Sequence, residues 1–189
     1  WDFMPEDVAE CWLTNMAPLR TYTAERNTIC ALMAGILPPE SASHRNPMRE
    51  WIGAAIRTDL YGYVTPGEPV LAAELAWRDA CISHTKNGIY GAMWISAMLA
   101  AAAVEPDINK VVELGLEQIP TKCRLAESIR QVLAWYSQGY SSSQALDAIH
   151  SLYSDSDPHC AVHVITNEMI VTVALLWGDC DLGKTIGLA

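Results

Sequence analysis

Two segments of this chain carry small side chains at helical spacing, and they limit the fold more than any other feature. Leu71 to Ser83 places Ala72, Ala76 and Ala80 on one stripe with Leu71 and Leu75 on the next, and Asn87 to Val104 carries Gly88, Gly91, Ala92, Ala97, Ala100, Ala101 and Ala103. Residues four apart share one face of a helix, and small ones let two backbones approach closely. A central helix pair follows, and with it an all-α architecture. Composition points the same way: 51% of residues are hydrophobic, with the excess in Ala, Leu, Ile and Met rather than in β-branched or aromatic types. No alternating strand of convincing length occurs, and no motif recurs at solenoid spacing.

The 189 residues fit one domain, 1–189, long enough to bury a core without staples. The most apolar run, Ala92 to Val104, is 13 residues long and contains Ser96, against about 20 for a bilayer span. It reads as a buried core helix, so no membrane association is expected. With 22 acidic against 12 basic residues the formal charge is −10, and no Lys/Arg run exists. Nucleic-acid binding through phosphate neutralisation is therefore disfavoured. The six cysteines are dispersed without a Cys-x-x-Cys pair, which reads as small buried thiols in a reducing, cytoplasmic setting rather than a zinc site.

Pro5-Glu6-Asp7 predicts a helix start, and a second helix is predicted over Ala24 to Ala34, stopped by Gly35 with Pro38-Pro39 beyond it. A polar loop over 37–46 follows, and Asn46 then caps a predicted helix with Pro47 at its first position, running through Trp51, Ala54 and Ala55 to Leu60. Further helices are predicted from Asp107 to Gln118, from Pro120-Thr121 to Tyr136, from Ser141 to about Tyr153, and from Val164 to Trp177. Ser154-Asp155-Ser156-Asp157-Pro158 reads as ordinary turn chemistry. The chain opens at Trp1 and its last residues, 181–189, read as the opening of another helix, so the domain is expected to be incomplete at both ends.

Candidate site residues gather between Ser43 and Leu99. His84 stands beside Ser83, Thr85 and a Lys86-Asn87-Gly88 turn, where it reads either as a helix-end cap or as a ligand contact. Arg57 reads either as a structural ion-pair partner of Asp59 or Glu50, or as a contact to a phosphate or pocket carboxylate. Gly53 at mid-helix would cost about 1 kcal/mol relative to Ala, so close approach of a ligand or a neighbouring helix is expected there. Arg45 and Arg49 flank a helix N-terminus able to hold an anion. His163 and Asn167 read as packing residues, and His44, His150 and His159 receive no role.

The order of these motifs resembles the ADP-ribosylglycohydrolase family: a Gly53-Ala54-Ala55-Ile56-Arg57 helix, an Ile82-Ser83-His84-Thr85 helix end, an Asn87-Gly88 start to an alanine-rich helix, and Ala174-Leu175-Leu176-Trp177-Gly178-Asp179. The likeness runs from about Cys11 to the end, and the segments at Arg45 and Asn87 look like the larger bacterial members. It implies a compact all-α bundle that removes ADP-ribose from a modified acceptor by metal-activated water, through an oxocarbenium-like transition state. It further implies two magnesium ions held by Thr-Asp-Asp and Asp-x-Asp motifs. No Thr-Asp-Asp occurs here, and Asp179-Cys180-Asp181 reads as a helix cap, so neither catalytic residues nor magnesium ligands are expected within this chain. Where the family has Asn before the glycine and Thr before the histidine, this chain has Ile52 and Ser83. The resemblance places Gly53, Ala54, Arg57, Ser83 and His84 beside ADP-ribose. A non-catalytic ADP-ribose or nucleotide binder and a purely structural helical domain are the alternatives.

Overall fold

Pro5 in the first turn, with Glu6 and Asp7 beside it, starts α1 (Pro5–Asn15), where Asp7 Oδ2 accepts the Met4 N–H at 2.6 Å. The computed structural model describes residues 2–154 and 156–189, so Asp155 of the serine-rich turn lies outside the described residues. A 3₁₀ turn at Pro18–Arg20 leads to α2 (Thr23–Met33), which ends at Ala34 and Gly35, the glycine at φ 81°. That conformation costs glycine little, which is why the helix stops there. A short α3 (Glu40–Ser43) then lies inside the segment predicted as a polar loop.

The largest departure from expectation follows. Residues 46–54 form successive turns, not a helix, and lead into a 3₁₀ turn at Ala55–Arg57 and then α4 (Asp59–Val64). Here other elements compete successfully for the polar groups that a helix would pair internally. Asn46 Nδ2 donates to Ala42 O at 3.0 Å and to Ser83 O at 2.9 Å, and Thr85 N–H donates to Arg49 O at 2.9 Å. Ile52 N–H donates to Val162 O at 3.0 Å, and Val164 N–H to Glu50 O at 3.2 Å. Trp51 and His163 form an isolated antiparallel bridge; no strand exists among the described residues.

The predicted central pair is present as α5 (Pro69–Ala80) and α6 (Asn87–Ala102), and Ala54, Ala76, Ala80 and Ala92 meet in its seam. Gly62 of α4 lets that helix lie against α6, since a Cβ there would fall on Leu99 Cβ and come within 2.7 Å of Ser96 O. Asp107 caps α7 (Ile108–Leu116) through the Asn109 N–H. The next helix begins later than predicted: Cys123 Sγ accepts the Ala126 N–H and α8 runs Arg124–Ser137. Ser141 and Gln144 form a reciprocal capping box for α9 (Ser142–Leu152). After α10 (Pro158–Ala161), α11 runs Val164–Trp177, and Asp181 caps α12 (Leu182–Leu188).

Helices α6 and α11 are apolar on most faces, and both lie in the core. Trp94 and Met98 of α6 pack with Val112 of α7, Leu125, Ile129 and Val132 of α8, Ile149 of α9, and Met169 and Val173 of α11. A smaller cluster of Trp12, Ile29, Cys81 and Ile82 joins α1 and α2 to the end of α5. Of the cysteines read as buried, only Cys81 is so; Cys11, Cys30 and Cys180 are exposed, and all six are free thiols. Among the described residues no helix is long and apolar enough to cross a membrane.

Candidate functional site

The irregular 46–57 segment passes between α2 and the N-terminal ends of α6 and α11, and a cavity of about 380 Å³ opens against it. That volume is at the lower end of ligand pockets, roughly 300–1,000 Å³. Tyr22, Thr23 and Glu25 from the start of α2 face Trp51, Gly53 and Ile56 from the irregular segment, and exposed Arg20 also lines the space. The Trp51 ring stands edge-on to His159, with centroids 5.5 Å apart. Thr23 sits at φ 49°, a region that a β-branched residue rarely enters and that is often stored strain near functional sites.

Behind the cavity lies a polar network centred on Arg57. Its Nε donates to Asp79 Oδ1 at 2.6 Å; Nη1 donates to Glu25 Oε1 at 3.0 Å and Gly53 O at 3.4 Å; Nη2 donates to Ser83 Oγ at 2.8 Å and Asp79 O at 3.3 Å. A guanidinium has five N–H groups, and all are committed. Its face covers the Trp12 ring at 4.9 Å. The ion-pair partners are therefore Glu25 and Asp79, not the Asp59 or Glu50 read from the sequence. Tyr61 donates to Asp79 Oδ2 at 3.0 Å, and burial followed by the Asp79 charge pushes its phenol well above the ordinary range.

Ser83 Oγ, having accepted from Arg57, lies 2.8 Å from His84 Nδ1. Ser83 Oγ also lies 3.5 Å from Ala80 O, so either member of the Ser83–His84 pair can supply the proton between them. Burial and the neighbouring Arg57 charge hold His84 well below the usual histidine range, so the ring is neutral. His84 is fully buried and its Nε2 has no partner among the described residues.

Of the five residues singled out by sequence, the structure places only Gly53 on the cavity wall. Ala54 faces the opposite way, into the Ala76, Ala80 and Ala92 seam. Arg57, Ser83 and His84 form one hydrogen-bonded chain behind the wall. Gly53 is not in mid-helix, and its missing side chain has a different cause: a Cβ would fall on Glu25 Oε1 and lie 3.0 Å from Oε2. The arginine-flanked helix N-terminus is likewise not formed; Arg49 Nη1 donates to Asn46 O at 2.9 Å, and Arg45 occupies a turn at φ 49°.

With this geometry in view, the family model described as ADP-ribosylglycohydrolase matches residues 2–184. The chain belongs to the ADP-ribosylglycohydrolase family. Comparison with curated proteins and with solved structures returned no match. The all-α bundle agrees with that membership. Among the described residues, no three His, Cys, Asp or Glu side chains come together as a metal site, so no residue is assigned to the magnesium pair that the resemblance implies.

A second, half-buried charge organises the irregular segment. Glu50 Oε2 accepts from Asn87 Nδ2 at 2.7 Å and Arg124 Nη2 at 3.1 Å, while His163 adjoins it. Asn87, Arg124 and His163 stand at the N-terminal ends of α6, α8 and α11, whose dipoles favour a carboxylate. Burial alone would raise the Glu50 carboxyl, but the Asn87 hydrogen bond and the Arg124 and His163 charges outweigh it and hold the group low. His163 itself caps α11 through the Ile165 N–H, and Asn167 bonds back to Ala161 O and His163 O, so both have the packing role read from sequence.

Glu25, Thr23, Trp51 and Asp79 escaped the sequence reading. The unexplained glycine at 53 was the one available signal, because it marks a close neighbour without naming it.

Proposed function

We propose that this ADP-ribosylglycohydrolase-family chain takes part in hydrolytic removal of ADP-ribose from a modified acceptor, and that the cavity between α2 and the 46–57 segment receives part of the ADP-ribosyl group. The family match over residues 2–184 carries this reading. The cavity supports it with an apolar, aromatic-edged wall from Tyr22, Trp51 and Ile56 and a carboxylate anchor, Glu25, of the kind that orients a polar ligand in a largely apolar pocket. Within such a site the chain's own residues bind and orient the sugar and exclude bulk water, while cleavage passes through an oxocarbenium-like state. No step is assigned to a metal. The six free thiols support a cytoplasmic location.

A binder without turnover is the second reading, in which the apolar wall and the Glu25 carboxylate hold the ligand without cleaving it. The test is to incubate the chain with arginine- and serine-linked ADP-ribosyl peptides, with and without magnesium, and to measure released ADP-ribose by chromatography and binding by calorimetry. Release supports the hydrolase reading, and saturable binding without release supports the binder. Absence of both refutes the assignment of ADP-ribose to the cavity.

A further inference from the structure

We propose that Glu25 selects the ligand's orientation in the cavity by accepting hydrogen bonds from the terminal ribose hydroxyls, and that the phosphate-bearing part lies toward Arg20. The inference rests on the reading that ADP-ribose occupies this cavity. Arg57 holds the Glu25 carboxylate from behind the cavity wall, and each of its five N–H groups already has a partner. It has no donor left for an incoming phosphate. Its one positive charge is shared by two carboxylates, Glu25 at 3.0 Å and Asp79 at 2.6 Å. The Glu25, Arg57 and Asp79 cluster is therefore net negative, and the wall at Glu25 disfavours an anion.

Glu25, by contrast, has acceptor capacity to spare. Oε1 is held by Arg57 Nη1 at 3.0 Å, and among the described residues Oε2 accepts only from Thr23 Oγ1, at a long 3.3 Å. An ionised carboxylate offers about four lone-pair sites, and this one lines the cavity. Its position is deliberate in the structural sense: Gly53 leaves the space that the carboxylate occupies, and Thr23 holds the unusual φ of 49° next to it. A carboxylate with unused lone pairs on the cavity wall fits neighbouring hydroxyls, which can donate to it. Exposed Arg20, elsewhere on the lining, is the group suited to a phosphate.

The experiment is calorimetric titration of the chain and of Glu25→Gln with ADP-ribose and with ADP, which lacks the terminal ribose. The amide keeps an oxygen for Arg57, and thermal unfolding followed by circular dichroism checks that each variant is folded. Expected is ADP-ribose binding tighter than ADP by roughly ten- to a hundredfold in the unsubstituted chain, the range for hydrogen bonds to a charged group. Glu25→Gln should abolish most of that preference while moving ADP affinity less than about twofold. Arg20→Ala should weaken both ligands alike. If Glu25→Gln leaves the preference intact, or weakens both ligands equally, the inference is overturned while the reading of the cavity stands. If the unsubstituted chain binds neither ligand, both fall together. A Glu25→Gln chain that fails to fold is replaced by Gly53→Ala, whose added Cβ displaces the carboxylate and should erase the same preference; retention of the preference there also overturns the inference.

Discussion

Replacing Arg57 with Ala separates a scaffold from a ligand contact. The substitution removes two ion pairs, the hydrogen bonds to Gly53 O, Asp79 O and Ser83 Oγ, and the contact over Trp12. Asp79 is then left with the Tyr61 hydroxyl alone among its side-chain partners. Breaking a buried pair by deleting one partner costs about 3–5 kcal/mol. The Arg57, Glu25 and Asp79 side chains retain 21%, 17% and 13% of their exposure, so the lower end, about 3 kcal/mol, is the appropriate magnitude. For a chain of 189 residues, at about 2–4 °C per kcal/mol, the midpoint should fall by about 6–12 °C. Urea and thermal unfolding measure it. Arg57→Lys restores charge without the fork and should recover only part of the loss. A loss below about 1 kcal/mol accompanied by loss of ADP-ribose affinity would refute the scaffold assignment, because a committed guanidinium cannot be removed so cheaply.

Three further outcomes follow from buried and half-buried groups. Glu168 of α11 is fully buried with both oxygens unpartnered among the described residues, and burial, aided by Asp59, raises its carboxyl well above 4.5. A raised acid contributes most below its unfolded value and loses that contribution as pH rises toward the folded one, so Glu168→Gln should match the parent near pH 4 and exceed it in urea stability at pH 7.5, with each pH unit inside the window worth about 1.4 kcal/mol. An equal difference at both pH values would contradict this. Glu50 has the opposite sign: its lowered carboxyl stabilises above about 4.5 and loses that contribution on acidification, so Glu50→Ala should cost about 2 kcal/mol at pH 7 and clearly less at pH 3. Gly91→Ala drives a Cβ onto Val164 Cγ2 and within 3.3 Å of Glu168 Oε1, and unfolding measurements should show a loss of about 1–3 kcal/mol; no loss would mean that α6 and α11 can separate freely.

Much of the fold was legible because its signals are local. Small residues at 76, 80 and 92 meet in the α5–α6 seam, Gly35 stops α2, and Ser141 caps α9. The 46–57 segment was misread because Asn46-Pro47 carries the same local signal whether the asparagine caps its own helix or, as here, reaches Ala42 and Ser83. Tertiary hydrogen bonds decided between those outcomes, and they involve residues 37 positions away. The site was less legible for the same reason. Gly53 announced a close approach, but Glu25 and Asp79, which complete the network with Arg57, are 32 and 22 positions from that arginine. Nothing in sequence spacing joins them.

The central claim is that the Glu25, Trp51 and Gly53 cavity binds ADP-ribose, and the most direct measurement is an ADP-ribose titration of the isotope-labelled chain followed by nuclear magnetic resonance. The account predicts saturable shifts of the Gly53 amide and the Trp51 indole N–H. It would be contradicted by shifts confined to the separate cavity of about 250 Å³ lined by Asp59, Ile95 and Val171, or by no shift at saturating ligand.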